Sequence, residues 1–148
     1  RRPEYATLIG AVSVSSQYSP ASRELIAGCY GPGRNSPVQA RRPLRGGHIQ
    51  PWEMNALRSI LRDAEDLSNP IQDLEADGKG IPVLVRQYLK LGGRLLAFSV
   101  DPDFGNTLDG FVMLDLRQAP LTRLSRYMGA DEARAFHEWH ASAEKCAA

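Results

Sequence analysis

The chain has 148 residues, of which 43% are hydrophobic and 24% are charged, and its formal net charge is +1. These values are typical of one globular domain with a buried core, and they give no general case for a nucleic-acid partner. No apolar run approaches the roughly 20 residues that a membrane-spanning helix needs, and two cysteines are too few for a disulfide framework. We therefore expect a single domain over residues 1–148 in a reducing, cytoplasmic compartment.

The first two predicted elements are a strand and a helix. Residues 8–14 are apolar, β-branched and followed by turn formers, which is typical of a buried strand with neighbours on both sides. Ser19 and Pro20 then suit the N-cap and the first position of a helix. That helix should carry Leu25 and Ile26 inward and end before a glycine-rich segment.

The glycine-rich segment covers residues 31–50 and also contains many prolines and arginines. It has no apolar periodicity, so we expect a mobile loop. The only charged residues between positions 31 and 48 are four arginines: Arg34, Arg41, Arg42 and Arg45. Such a basic cluster can bind an acidic protein or anionic lipid headgroups, and a basic loop that contacts nothing is the alternative.

The middle of the chain predicts a helix and a short helical turn. The helix opens at Pro51, and its apolar residues recur at helical spacing: Met54, Leu57, Ile60, Leu61, Ala64 and Leu67. An Asn-Pro pair at residues 69–70 then begins a short turn that should pack Ile71 and Leu74 inward.

The second half predicts a helix that leads into a hairpin. The helix covers residues 82–91 and ends at Gly92, a residue suited to a left-handed C-cap. Strands over residues 94–100 and 108–116 follow. The link between them is too short for a crossover, so we expect them to pair antiparallel.

Two helices end the chain, one over residues 121–127 and one capped by Asp131, whose apolar positions are Ala135, Phe136 and Trp139. The order of elements predicts an α/β domain of the α+β kind, with a small mixed sheet flanked by helices. Because the chain starts at Arg1 without an initiator methionine, and supplies few partners for its first strand, we expect it to belong to a longer protein.

Two runs of sequence carry a resemblance to a known family. The run GIPVLVRQYLKLGG over residues 80–93 and the run DPDF over residues 101–104 resemble the C-terminal half of the ornithine lipid N-acyltransferase family. The run IGAVSVS over residues 9–15 is also similar. This family belongs to the GNAT superfamily, in which a Tyr-x-Lys-Leu-Gly run closes the fourth helix before two antiparallel strands. Some of its members are labelled hemolysins.

The resemblance implies a partial GNAT-like (acyl-CoA N-acyltransferase) fold. The chain would supply the fifth strand, the fourth helix and the last two strands, and by itself it could be inactive. The implied reaction moves a fatty acyl group to an amine-bearing lipid precursor such as ornithine. The implied acyl donor is an acyl carrier protein or CoA thioester, with no tightly bound cofactor, and the implied location is cytoplasmic, at the face of the inner membrane.

The resemblance also implies catalytic residues. Tyr88 matches the tyrosine that protonates the departing thiolate in many GNAT enzymes. A phenol suits this role because its pKa of about 10 exceeds that of a thiol. Asp101 and Asp103 could hold the substrate ammonium or act as a base, with Asn106 beside them. The alternatives are that Tyr88 is an ordinary core residue and that the acidic residues only shape the hairpin.

Other residues have weaker signals. Lys79 and Gly80 precede a helix N-terminus, where an anion such as the phosphopantetheine phosphate could bind with help from Arg86, although loop capping explains the same residues. His137 and His140 lie three residues apart without a second cluster, so we expect no metal site. The alternatives to an enzyme are a non-catalytic module that docks acyl carrier protein or membrane through its arginines, and a homodimer formed at an open sheet edge.

Overall fold

The structure, a computed structural model, describes residues 4–32, 36–63 and 65–146, which form an α+β domain. In chain order its helices and strands are β1 (Thr7–Val14), α1 (Pro20–Tyr30), α2 (Pro51–Ile60), α3 (Ser68–Leu74), α4 (Val83–Lys90), β2 (Arg94–Asp101), β3 (Thr107–Asp115), α5 (Leu121–Met128) and α6 (Ala130–Cys146). The α+β class that the sequence predicts is therefore confirmed.

The three strands form one sheet in the order β1-β3-β2. The predicted hairpin of β2 and β3 is confirmed, and β1 also pairs antiparallel with β3. The expectation of a mixed sheet is wrong for the described residues, because each outer strand has β3 as its neighbour and runs opposite to it. β1 and β2 are parallel to each other, but β3 separates them.

β1 is an edge strand rather than a strand with neighbours on both sides. Val12 and Val14 are buried, as the apolar run predicts, whereas Ile9 is 67% exposed and Leu8 is also exposed. Within the described residues only β3 pairs with β1. An apolar strand with an open edge is typical of a sheet that continues in another segment or chain.

The core has two parts on the same face of the sheet. The larger part lies under α1, α3 and α4, and it includes Val12, Val14, Leu25, Ile26, Leu67, Ile71, Val85 and Leu108. The smaller part lies under α5 and α6, and it includes Leu114, Leu116, Leu124, Ala133 and Phe136. The prediction for Leu25 and Ile26 is confirmed, but Ala135 and Trp139 of α6 are exposed, because Ala133 and Phe136 define its inner face.

The predicted helix from Pro51 ends earlier than its apolar spacing indicates. α2 stops at Ile60, and Leu61 is already extended. The Asp66 carboxylate accepts hydrogen bonds from the amides of Arg62 and Asp63, and the Asp63 carboxylate accepts from later amides in turn. Aspartate side chains compete with helical hydrogen bonds in this way, so the chain turns before α3. Ala64 lies outside the described residues.

α3 also packs differently from the prediction. Ile71 is fully buried, as expected, but Leu74 is 48% exposed. The inward position one helical turn after Ile71 is taken by Glu75, whose side chain is buried. Among the described residues, no helix is both long enough and apolar enough to cross a membrane.

The described part of the loop over residues 31–50 is attached to the rest of the domain at two places. The Ser36 hydroxyl donates to the carbonyl of Leu96, and the Val100 amide donates to the carbonyl of Arg42 at 2.7 Å. Further along, the Glu24 carboxylate accepts hydrogen bonds from three successive amides, those of residues 47, 48 and 49. These contacts hold the loop against β2 and α1.

A pair of glycine substitutions tests the packing of the sheet. A β-carbon at Gly110 would lie 2.8 Å from Leu95 Cδ2 and 2.9 Å from Phe98 Cε1, whereas one at Gly10 would meet nothing within 4 Å. We expect Gly110→Ala to lower the free energy of unfolding by about 1–3 kcal/mol, because overpacking forces core side chains to move. Urea denaturation measures the change. Equal stability of Gly110→Ala and the control Gly10→Ala would contradict the packing described above.

Candidate functional site

The joint between α4 and β2 has the geometry that the run YLKLGG predicts. Gly92 has a left-handed φ of 86°, which confirms the predicted glycine C-cap. The Gly93 amide donates to the Tyr88 carbonyl at 2.8 Å, and a β-carbon at Gly93 would lie 2.7 Å from that oxygen. Both glycines are therefore required for the strand to start directly after the helix.

The side chain of Tyr88 lies in the last turn of α4. It is half-buried and packs against the margin of the larger core, on the same helix as the fully buried Val85. The residue as a whole is therefore partly exposed. This position is compatible with a chemical role at the surface end of the helix and also with a purely packing role.

The run DPDF forms the end of the hairpin. Asp101 Oδ1 accepts the Asp103 amide at 2.9 Å and so caps a 3₁₀ turn over Pro102–Phe104. Asn106 has a left-handed φ of 59°, and its carbonyl accepts a hydrogen bond from Arg23 at 2.7 Å. Asp103 is exposed. The structure thus gives Asp101 a local capping role and leaves the Asp103 carboxylate at the surface.

Tyr88 and the hairpin carboxylates are not brought together. Tyr88 contacts the start of β2 through Gly93, whereas Asp101 is the last residue of β2. A strand rises about 3.3 Å per residue, so the two ends of β2 are roughly 23 Å apart. The three predicted catalytic residues therefore cannot act on one reacting atom.

Lys79 belongs to an ionic cluster around the buried Glu75, which the sequence did not indicate. Its ammonium lies 3.3 Å from the Glu75 carboxylate and 3.1 Å from Asp77, over the ring of Tyr18. The Tyr18 hydroxyl donates to the carbonyl of Gly80 at 2.8 Å. With two carboxylates on the ammonium, this arrangement favours a structural role for Lys79 and Gly80 over an anion site.

Glu75 is the centre of this cluster. Burial alone would raise its pKa, but hydrogen bonds from Ser22, from the amide and hydroxyl of Ser19 and from Lys79 outweigh burial and lower the pKa to about 2. The Ser19 amide donates to Glu75 at 2.8 Å, so the C-cap residue of α3 holds the start of α1. The signal for Glu75 was its position four residues after Ile71, on the inward face of α3.

Arg86 is paired within the chain. Its guanidinium lies 3.4 Å from the Glu65 carboxylate, which also accepts a hydrogen bond from Lys90. The two cations lie one helical turn apart on α4 and share one carboxylate. This pairing accounts for Arg86 without a substrate.

The basic cluster of the loop is only partly described. Arg34 lies outside the described residues. Arg41, Arg42 and Arg45 are exposed, and none of them forms an ion pair with another described residue. Their side chains are therefore available to an anionic partner.

The surface has several depressions. Tyr88 lines neither the cleft beside β2 nor the groove beside α2. A cleft of about 500 Å³ separates β2 from the loop, where Phe98, Leu44 and Arg58 line it. A groove of about 660 Å³ lies between α1, α2 and α3 and is mostly apolar: Ala21, Leu25, His48, Ile49, Trp52, Glu53, Ala56, Leu57, Ser59, Ile60 and Leu74. Sequence patterns did not indicate this groove.

The histidines of α6 pack against an aromatic ring. The ring centroids of His137 and His140 lie 5.9 Å and 4.5 Å from that of Phe136, in edge-on geometry. In the part of the chain that the structure describes, no three histidine, cysteine or acidic side chains group closely enough to hold a metal ion.

No protein-family model, curated protein or solved structure matches the chain. Function must therefore be inferred from the residues and their geometry. Some of the predicted site residues in the described part have side chains with neither a capping role nor an ion pair there: Tyr88, Asp103, Asn106, Arg41, Arg42 and Arg45. Asp103 is exposed, and it lies beyond the end of β2 that is remote from Tyr88.

Proposed function

We propose that the chain is part of an N-acyltransferase that moves a fatty acyl group from an acyl carrier protein or CoA thioester to an amine-bearing lipid precursor such as ornithine. The observation that carries the proposal is the half-buried Tyr88 beside the Gly92-Gly93 joint. The two runs that resemble the family occupy positions where backbone geometry is most demanding, namely this joint and the hairpin cap. We also propose that the whole protein has a GNAT-like fold.

In this proposal Tyr88 donates a proton to the departing thiolate. Acyl transfer to an amine breaks the thioester C–S bond and forms a C–N bond, so the sulfur needs a proton and the amine loses one. A phenol remains protonated until negative charge develops on the sulfur, because its pKa of about 10 is above that of a thiol. The partial exposure of Tyr88 as a whole supports this role.

Asp101 and Asp103 have a different role in this proposal. At roughly 23 Å from the start of β2, they do not contact the atom that Tyr88 protonates. Asp101 shapes the hairpin turn, and the exposed Asp103 carboxylate lies at the same end of β2, so neither contacts the amine that attacks the thioester beside Tyr88. The base that deprotonates this amine is therefore a residue other than Asp101 and Asp103.

The test measures thiol release from an acyl carrier protein thioester by the full-length protein, with ornithine as the acceptor. We expect release to depend on both substrates and to yield an N-acylated amine, which mass spectrometry identifies. Release no faster than in the absence of protein would overturn the proposal. Release without an amine product would instead indicate a thioesterase.

A further inference from the structure

Helix α2 lies at the surface of the domain. Among the described residues, α2 has no fully buried side chain. Met54 sits where a β-carbon on Gly28 would be, so a glycine in α1 lets the two helices approach closely. Arg58 Nε donates to the Gly28 carbonyl at 2.6 Å. These contacts fix one side of α2 and leave its other side outside the core.

The outer side of α2 is apolar. Trp52 is 70% exposed and Ile60 is 67% exposed. With Ala56 they are spaced four residues apart, so the three side chains form one stripe about 12 Å long. The exposed Leu74 of α3 lies across the groove that this stripe borders. We call this surface, with its groove, the α2 face.

The segment that runs from the basic loop through α2 is positively charged. Residues 36–62 contain five arginines and one carboxylate, Glu53. Glu53 is also the one carboxylate among the residues that line the groove, and it accepts the Gln50 amide at 2.7 Å in the capping box of α2. Its charge is therefore used at the positive end of the helix dipole.

The basic loop is held next to the α2 face. The Glu24 carboxylate binds the amides of His48 and Ile49, and both of these residues line the groove. Arg45 lies three residues before His48, so the same anchor limits how far it can move from the groove. Arg41 and Arg42 precede it and are exposed.

We propose that the α2 face binds an anionic lipid surface, with Trp52 and Ile60 entering the interface and Arg41, Arg42 and Arg45 meeting phosphate headgroups. Exposed tryptophan and aliphatic side chains beside unpaired arginines are the combination that holds helices at membrane interfaces. A second copy of the chain on this face would bring two arginine-rich loops together, and like charges repel. The inference does not depend on acyl transfer.

Vesicle flotation tests the binding. We expect the full chain to float with vesicles of an equal mixture of phosphatidylcholine and phosphatidylglycerol, and not with phosphatidylcholine alone. Ile60→Asp should weaken binding about ten-fold or more, because apolar contact is lost and a negative charge is added. The matched control is Leu121→Asp, at an exposed apolar residue of α5, which should bind like the original chain. Circular dichroism checks that both variants are folded.

The arginines have a separate readout. Replacing Arg41, Arg42 and Arg45 with glutamine should weaken binding roughly five-fold for each arginine removed, and added salt should weaken binding of the original chain. Tryptophan fluorescence reports which surface enters the lipid. Trp139→Phe leaves Trp52 as the reporter, and its emission should shift to the blue with mixed vesicles; Trp52→Phe leaves Trp139, which should not shift.

Four outcomes would overturn the proposal. One is an absence of flotation with the mixed vesicles, and another is flotation that Ile60→Asp leaves unchanged. A third is an equal shift of both tryptophans. The last is saturable binding of purified acyl carrier protein that depends on the same arginines, without vesicle binding, which would assign the face to an acidic protein instead. None of these outcomes bears on thioester cleavage, so the proposed transferase activity is tested independently.

Discussion

Tyr88→Phe should lower the rate of thiol release by the full-length protein by roughly 100-fold or more, since loss of a general acid typically has an effect of that size. The ring remains in place against the core, so the free energy of unfolding should change little. A packing role alone would leave both quantities unchanged. The kinetic assay therefore separates the two interpretations of this residue.

A second tyrosine provides the control. Tyr127→Phe is the matched control, because the Tyr127 hydroxyl is exposed on α5 and its hydrogen bond to Gln87 is long, at 3.5 Å. Full activity of Tyr88→Phe would remove Tyr88 from the mechanism, whereas a wild-type protein without activity would refute the transferase itself.

Glu75→Ala should destabilise the domain by about 3 kcal/mol. The substitution removes the acceptor of the Ser19 amide and one partner of Lys79, and it leaves the buried Ser22 without a carboxylate to donate to. Leaving buried polar groups unpaired is among the largest effects of single substitutions. Asp77→Ala is the matched control: it removes the other, exposed partner of Lys79 and should change stability by less than about 1 kcal/mol.

The same carboxylate should make stability depend on pH. The folded-state pKa of Glu75 is about 2, below its ordinary value of 4.5. Its contribution is therefore complete above about pH 4.5 and is lost as the pH falls towards 2. Urea denaturation at several pH values should show a smaller acid-induced loss of stability in Glu75→Gln than in the original chain. Identical pH profiles for the two would contradict the pKa.

Asp115 adds to the same acid-induced loss. A side-chain hydrogen bond from Arg117, assisted by the Arg117 amide and Gln118, lowers the pKa of Asp115 to about 2 despite partial burial. Its contribution is also lost as the pH falls below its ordinary value of 3.8. A residual acid-induced loss of stability in Glu75→Gln is therefore expected.

Local chemistry made several elements predictable from the sequence. The C-cap at Gly92, the hairpin of β2 and β3 and the start of α1 at Pro20 each depend on residues only a few positions apart. The early end of α2 also depends on nearby residues, because the carboxylates of Asp63 and Asp66 accept amides that a longer helix would use. The apolar spacing of the segment favours a longer helix than the one that forms, so the predicted end was wrong.

The sequence by itself determined most of the helix, strand and turn positions, because capping, proline placement and hairpin links act over a few residues. Only the tertiary structure decided which partners the charged groups have. The Lys79 ammonium donates to the carbonyl of Gln17, 62 positions away, and also pairs with Glu75. The tertiary structure also decided that β1 has an open edge, that the α2 face is exposed and that Tyr88 is far from Asp101. Each of these depends on how distant segments pack around the central strand β3, and no local pattern contains that information.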